Sequence, residues 1–175
     1  MLALLQGHYT DAVPILEANL NGMPRNFAEY MLASALFYEG RTNEARARID
    51  NAKAKFTDGI LTAAQGLFLA VAGDKAHAQE KIDEAIKIGE EGFGHFHHTS
   101  LVIASAYALM DEPEPAMKWL NYTAENGYPN LTWFERDPNL NKLRKDPRFI
   151  EFLNKLRPQF ERLKALAATP SNSRA

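Results

Sequence analysis

The apolar positions of this chain recur in a frame of about 33 residues. In each copy, an alanine is followed four positions later by leucine or isoleucine, which places both side chains on one face of a helix. The four pairs are Ala12 with Leu16, Ala45 with Ile49, Ala78 with Ile82, and Ala116 with Leu120. The steps between successive pairs are 33, 33 and 38 residues, and the extra length of the third step is expected in the glycine-rich stretch 89–98. The pattern predicts a repeated helical unit.

Each unit also has a turn at a fixed distance before its alanine. The residues five positions before the four alanines are Gly7, Gly40, Gly73 and Asp111. A second small residue stands twelve positions before the last three alanines, at Ala33, Gly66 and Ala104. Small residues let two helices approach closely, and glycine permits the positive φ of a tight turn. Residues 33–49 keep this frame undisturbed and predict two short helices that meet at a corner.

Local chemistry predicts where several helices begin. Thr42 and Asp74 are suitable caps for second helices, and Pro113 suits a first helical position. Strand signals are weak, because Val and Thr are sparse and no alternation of apolar and polar residues is sustained.

After about residue 129 the repeated frame ends. Asp137-Pro138 predicts a short helix over about residues 138–144, and Asp146-Pro147 predicts another. Pro158 is expected to break or kink the second of these helices.

These features resemble the tetratricopeptide repeat family, whose unit has a small residue, a large apolar residue three positions later, a turn, and A-x3-F in its second helix. Pro24 stands at the family's proline position, whereas the family's tryptophan is missing and the two 33-residue steps are one residue shorter than the family's 34. The resemblance implies an all-α, right-handed solenoid. It would comprise about three and a half hairpins over residues 1–129, the first truncated, followed by capping helices over 130–168 and a disordered tail over 169–175.

The last part of the chain is similar to the C-terminal end of repeat arrays in bacterial signalling proteins, which follow serine/threonine kinase, cyclase or winged-helix domains. The matching residues are Ala116, Trp119, Leu120, Asp137, Pro138, Leu140, Leu143, Arg144, Asp146, Pro147, Arg148 and Phe149. Kinase motifs do not occur in this sequence. The resemblance implies a scaffolding or sensory part of a larger regulatory protein, of which this chain would be a fragment.

Composition narrows the classes of partner. The formal charge of −2 gives no reason to expect nucleic acid or an anionic membrane. The chain has no cysteine, so disulfides and thiolate metal sites are excluded and a reducing compartment is suitable. No apolar run approaches the roughly 20 residues of a membrane helix. We therefore expect a soluble, cytoplasmic protein without a cofactor, and the lack of nucleophile and phosphate-loop motifs favours a non-catalytic role.

The predicted binding surface is the concave groove that first helices line in this family. The resemblance places these residues in it: Phe27, Tyr30, Ser34, Phe37, Tyr38, Leu67, Val71, Leu101 and Ser105. An apolar and aromatic groove of this kind favours binding of an extended or helical segment of a partner protein. The alternative is that the same side chains belong to the core or are covered by the chain's own terminal helices.

Two other groups of side chains have candidate chemistry. His95, His97 and His98 are weak candidates for zinc or nickel ligands in a small-ligand or metal-sensing domain, since the alternative is an exposed polar loop. Arg144, Lys145, Arg148, Asp137 and Asp146 form either an anion site or a set of helix caps with paired basic residues.

Overall fold

A computed structural model describes residues 7–90 and 95–168 of the chain. The α-helices in these ranges are α1 (Tyr9–Ala18), α2 (Arg25–Tyr38), α3 (Thr42–Lys53), α4 (Gly59–Val71), α5 (Lys75–Glu90), α6 (Phe96–Leu109), α7 (Pro113–Glu125), α8 (Leu131–Arg136) and α9 (Pro147–Ala168). Leu20–Gly22 and Pro138–Leu143 are 3-10 helices, and the described residues contain no strand. The predicted all-α class is confirmed for these ranges. The expected tail, 169–175, lies outside them, as do residues 1–6.

None of the helices in the described ranges combines the length and the apolar character needed to cross a membrane.

Helices adjacent in sequence pack as pairs. α2 packs on α3, α4 on α5 and α6 on α7, while α4 also lies against α6. The alanines that define the repeated frame are at most 1% exposed at these contacts. A β-carbon added at Gly66 would stand 3.3 Å from the carbonyl oxygen of Ala78, so the predicted close approach of α4 to α5 is confirmed.

The corners of the pairs share one backbone geometry. Gly7, Gly40 and Gly73 have φ values of 81°, 86° and 81°, and Asp111 at the equivalent position has φ 69°. At Gly40, the N–H of Arg41 donates to the carbonyl of Leu36 at 2.9 Å, which satisfies a carbonyl that the end of α2 leaves unpaired. A backbone hydrogen bond between residues five positions apart also closes α4 and α6. The corners predicted from the sequence are therefore confirmed.

The C-terminal elements begin where their caps predict. The Asp137 carboxylate accepts from the N–H of Asn139 at 2.9 Å, and Asp146 accepts from the N–H of Arg148 at 2.9 Å. However, α9 runs through Pro158 without the expected break. Asn154, whose carbonyl loses its helical bond because residue 158 is a proline, is exposed, so water can satisfy that carbonyl.

The cap expected at Thr42 is also wrong. α3 begins at Thr42 itself, and Arg41 precedes it without a side-chain cap bond. The Gly40 turn brings the chain to helical geometry at Thr42, and Arg41 instead pairs with Glu44 at 2.8 Å. Asp74, by contrast, accepts from the N–H of His77 at 3.3 Å and caps α5 as predicted, and α7 begins at Pro113.

Asp111→Gly should raise the free energy of unfolding by about 0.5–1 kcal/mol, because an L-residue at positive φ is strained and glycine is not. Gly73→Ala should lower it by roughly 1–2 kcal/mol for the same reason. Urea unfolding measures both changes. Glu112→Gly is the matched control, since φ there is −117° and glycine only adds freedom to the unfolded chain. Equal losses from Asp111→Gly and Glu112→Gly would contradict the strain at this corner.

Candidate functional site

Most of the residues predicted for the groove lie together on one face formed by α2, α4 and α6, which we call the first-helix face. They surround a cavity of about 20 Å³ that Tyr30, Ser34, Phe37, Tyr38, Leu67, Leu101 and Ser105 line together with Trp133, Asp137 and Asn139. A volume of this size holds about one water molecule. Residues 131–143 of the same chain, which we call the cap segment, therefore lie against this face at the cavity. Tyr30, Ser34, Phe37 and Tyr38 stay partly exposed.

Phe27 and Val71 lie outside this cavity. Val71 is 42% exposed at the end of α4. The ring of Phe27 lies 5.1 Å from the ring of His98, at the start of α6. These two predicted groove residues are therefore not part of the surface that the cap segment covers at Asp137.

The Asp137 carboxylate is the polar centre of the contact between the cap segment and the first-helix face. Its Oδ1 accepts from the hydroxyl of Tyr38 at 3.0 Å, and its Oδ2 accepts from the hydroxyl of Ser105 at 3.2 Å. The side-chain amide of Asn139 donates to the same Tyr38 hydroxyl at 3.0 Å. With Asp137 only 4% exposed, these bonds replace the water that a carboxylate otherwise needs.

Aromatic rings enclose this network. Tyr9 stacks on Tyr38 with ring centroids 4.8 Å apart, and Trp133 meets Tyr38 edge-on at 5.8 Å. The indole N–H of Trp133 is buried and has no hydrogen-bond partner in the described part of the chain. Trp133 also lines the cavity, whose volume of about 20 Å³ has room for about one water molecule.

Burial changes the pKa values of both Asp137 and Tyr38. Burial raises the pKa of Asp137 above its ordinary value, although the hydrogen bonds from Asn139, Tyr38 and Ser105 and the charge of Arg144 oppose this. Burial, followed by the charge of Asp137, raises the pKa of Tyr38 well above its usual range. The Tyr38 hydroxyl consequently keeps its proton and acts as the donor.

Arg144 donates hydrogen bonds to the backbone of the cap segment. Its guanidinium donates to the carbonyl of Phe134 at 2.8 Å and to the carbonyl of Asp137 at 2.9 Å. Arg148 pairs with Asp146 at 2.7 Å. Of the two alternatives for this group of charges, the arrangement favours helix caps with paired basic residues over an anion site.

The three candidate metal-binding histidines also meet in space. One ligand nitrogen from each of His95, His97 and His98 lies within 4.8 Å of the others, in the residue before α6 and its first turn. The closest pair of rings, His97 and His98, has centroids 4.3 Å apart. The expected loop of residues 89–98 falls partly outside the described ranges, at residues 91–94.

Surrounding groups fix two of these rings. His97 stacks on Tyr128 at 6.2 Å, and His98 meets the Tyr128 ring at 5.1 Å. Burial, with the neighbouring His97 and His95, lowers the pKa of His98 to about 4. Burial likewise lowers the pKa of His97. Both rings are thus neutral at pH 7, which is the form that binds metals.

Comparisons of the chain with protein-family models, curated proteins and solved structures found no match. The resemblance to tetratricopeptide repeats therefore stays a prediction that rests on the residues.

Sequence reasoning missed the contact of Asp137 with Tyr38 and Ser105. The Asp137-Pro138 pair predicted a helix cap, and the same carboxylate does accept from the N–H of Asn139. The hydrogen bond that the carboxylate accepts from Tyr38 joins residues 99 positions apart in sequence, and no local sequence pattern predicts such a bond. The available signal was the hydroxyl groups of Tyr38 and Ser105 within a mostly apolar predicted face.

Asp137 should make stability depend on pH. The pKa of Asp137 is higher in the folded chain than the ordinary 3.8. Between pH 3.8 and that folded-state pKa, the folded state therefore binds more protons than the unfolded state. The contribution of this group to stability is greatest below about pH 3.8 and falls as the pH rises through its folded pKa. Asp137→Asn keeps an acceptor for Tyr38 and a polar partner for Ser105 but has no charge. Its free energy of unfolding, relative to wild type, should therefore rise with pH from about 4 upward.

Asp137→Ala should instead lose about 1–3 kcal/mol at pH 7, because Tyr38 and Ser105 would be left buried without their acceptor. Urea unfolding across pH 4–8 measures both variants, with the exposed Asp11→Asn as the control for removing one negative charge. A constant difference between Asp137→Asn and wild type over this range would contradict a raised pKa.

Proposed function

We propose that the chain is a non-catalytic protein-interaction module built as a right-handed solenoid of tetratricopeptide-type hairpins. Residues 1–129 would form the repeat array and 130–168 its cap. The support is the repeated corner at positive φ together with the buried alanines between paired helices. The contact of α4 with α6 also fits this arrangement, since first helices of successive repeats stack on one another in it.

The first-helix face is the binding site of this proposal, and the cap segment is its built-in competitor. The observation that carries this is the Asp137 carboxylate, which is bound by the hydroxyls of Tyr38 and Ser105 within a face of apolar side chains. A partner segment would present the same chemistry: a carboxylate between apolar or aromatic residues. Tyr38 and Ser105 would donate hydrogen bonds to the partner's carboxylate. Phe37, Leu67 and Leu101 would contact its apolar residues.

The cap segment holds the site closed, but with one unfavourable term. Leu131, Phe134, Leu140 and Leu143 are at most 2% exposed, and each fully buried side chain contributes about 1.5–3 kcal/mol. Against this, the Asp137 carboxylate is desolvated. A partner binds with its intrinsic affinity multiplied by the fraction of molecules in which the cap segment has left. Weakening the cap segment should therefore strengthen partner binding.

The setting proposed for the module is a cytoplasmic, regulatory bacterial protein. This rests on the similarity of residues around 116–149 to the ends of signalling arrays and on the absence of cysteine, which suits a reducing compartment.

A labelled peptide of residues 130–143 tests the site without knowledge of the natural partner. It should bind the Asp137→Ala chain about tenfold or more tightly than wild type, because the tethered segment has lost the carboxylate that the peptide retains. A peptide with alanine in place of Asp137 should lose this advantage. Fluorescence anisotropy measures both affinities, and circular dichroism checks that the chain stays folded.

Two controls sharpen the test. Adding Tyr38→Phe to the Asp137→Ala chain should weaken binding of the unmodified peptide, because one of the two hydroxyl donors is lost. Leu163→Ala, which truncates an exposed leucine far along α9, should leave peptide binding at the wild-type level. If the two peptides bind a folded Asp137→Ala chain equally, the carboxylate is not what the face recognises.

A further inference from the structure

His95, His97 and His98 form a compact group of imidazoles that contributes no residue to the cavity at Asp137. Their ligand nitrogens lie within 4.8 Å of one another. Zinc bonds to imidazole at about 2.0–2.1 Å, so two nitrogens on one tetrahedral ion stand about 3.3 Å apart. The rings therefore have to close by at most about 1.5 Å, a movement that side-chain rotation can supply without moving the helix. We propose that these three residues bind one divalent transition-metal ion of the zinc class.

The ligand type determines which ions fit. Imidazole nitrogen suits zinc, copper and nickel, whereas calcium and magnesium prefer oxygen ligands. The N-terminus of α6 carries a partial positive charge that disfavours a cation, so the three rings must supply the binding energy themselves. Three protein ligands leave one tetrahedral position open to water or to an external ligand.

The surroundings already orient the buried part of the site. The ring of His97 stacks on that of Tyr128, with centroids 6.2 Å apart and 10° between the ring planes. Nδ1 of His97 lies beside Gly127, at an ordinary van der Waals distance of 3.6 Å from the position of a β-carbon there. The ring of His98 is held between those of Phe27 and Tyr128, both 5.1 Å away.

His95 completes the site from the solvent side. Its ring centroid lies 5.5 Å from that of His97, and the residue is exposed and makes no cap bond to α6. It can therefore rotate onto an ion, and its removal should not disturb the fold. Bound metal would join the residue before α6 to the first turn of that helix, and through His97 and His98 to the loop at Asn126–Tyr128 and to α2.

Calorimetric titration of the purified full chain with Zn²⁺ tests the proposal. We expect one ion per chain, and no binding of Mg²⁺ or Ca²⁺ under the same conditions. Co²⁺ should give the visible absorption of a four-coordinate site. At a zinc concentration a hundredfold above the dissociation constant, the melting temperature should rise by about 5–10 °C.

His95→Ala should weaken zinc binding roughly tenfold or more and remove most of this thermal shift, because one of three ligands is lost. His77→Ala is the matched control: it also removes an exposed imidazole, which contacts Asp74 instead of the cluster, and it should bind zinc like wild type. His97→Ala is a second variant within the site and should behave like His95→Ala. Absence of zinc uptake by wild type, or equal losses from His95→Ala and His77→Ala, would overturn the proposal.

Discussion

A buried carboxylate joins the two parts of this fold. Asp137, in the cap segment, accepts hydrogen bonds from Tyr38 on α2 and Ser105 on α6, so one side chain connects helices far apart in sequence to the C-terminal elements. Taking a carboxylate out of water is unfavourable, and the raised pKa of Asp137 reflects that penalty. The contact persists because apolar side chains such as Phe134 and Leu140 are buried beside it.

This connection determines what the first-helix face can do. The side chains that a groove-binding protein would offer to a partner instead surround space for about one water molecule. The proposed interaction module is therefore one whose partner must first compete with the chain itself. The histidine cluster lies at the other end of α6 from the Asp111 corner and does not share residues with the cavity. Metal binding there and peptide binding at Tyr38 can consequently be measured separately.

Most local features could be predicted from the sequence because neighbouring residues determine them. The positive φ at Gly40 and Gly73 follows from the place of glycine after a helical run, and the caps at Asp74 and Asp146 follow from the residues after them. Two local predictions failed for identifiable reasons: the turn at Gly40 sets the start of α3 at Thr42, and exposure lets α9 continue through Pro158.

The candidate site was predictable only in part. The resemblance to tetratricopeptide repeats implied that Tyr38 and Ser105 share one face, and both line the cavity there. It could not show that Asp137 would lie between them, because a hydrogen bond across 99 residues depends on how the whole chain closes. The three histidines were recognisable as ligand-type residues, but their convergence depends on where Tyr128 packs against two of the rings.

The contact between Tyr38 and Asp137 can be measured directly with a double-mutant cycle of Tyr38→Phe and Asp137→Ala, using the free energy of unfolding at pH 7. If the hydroxyl donates to the buried carboxylate, the two losses will not add, and the coupling energy will be about 1–3 kcal/mol. Additive losses, within about 0.3 kcal/mol, would show that the cap segment does not close the first-helix face through this bond.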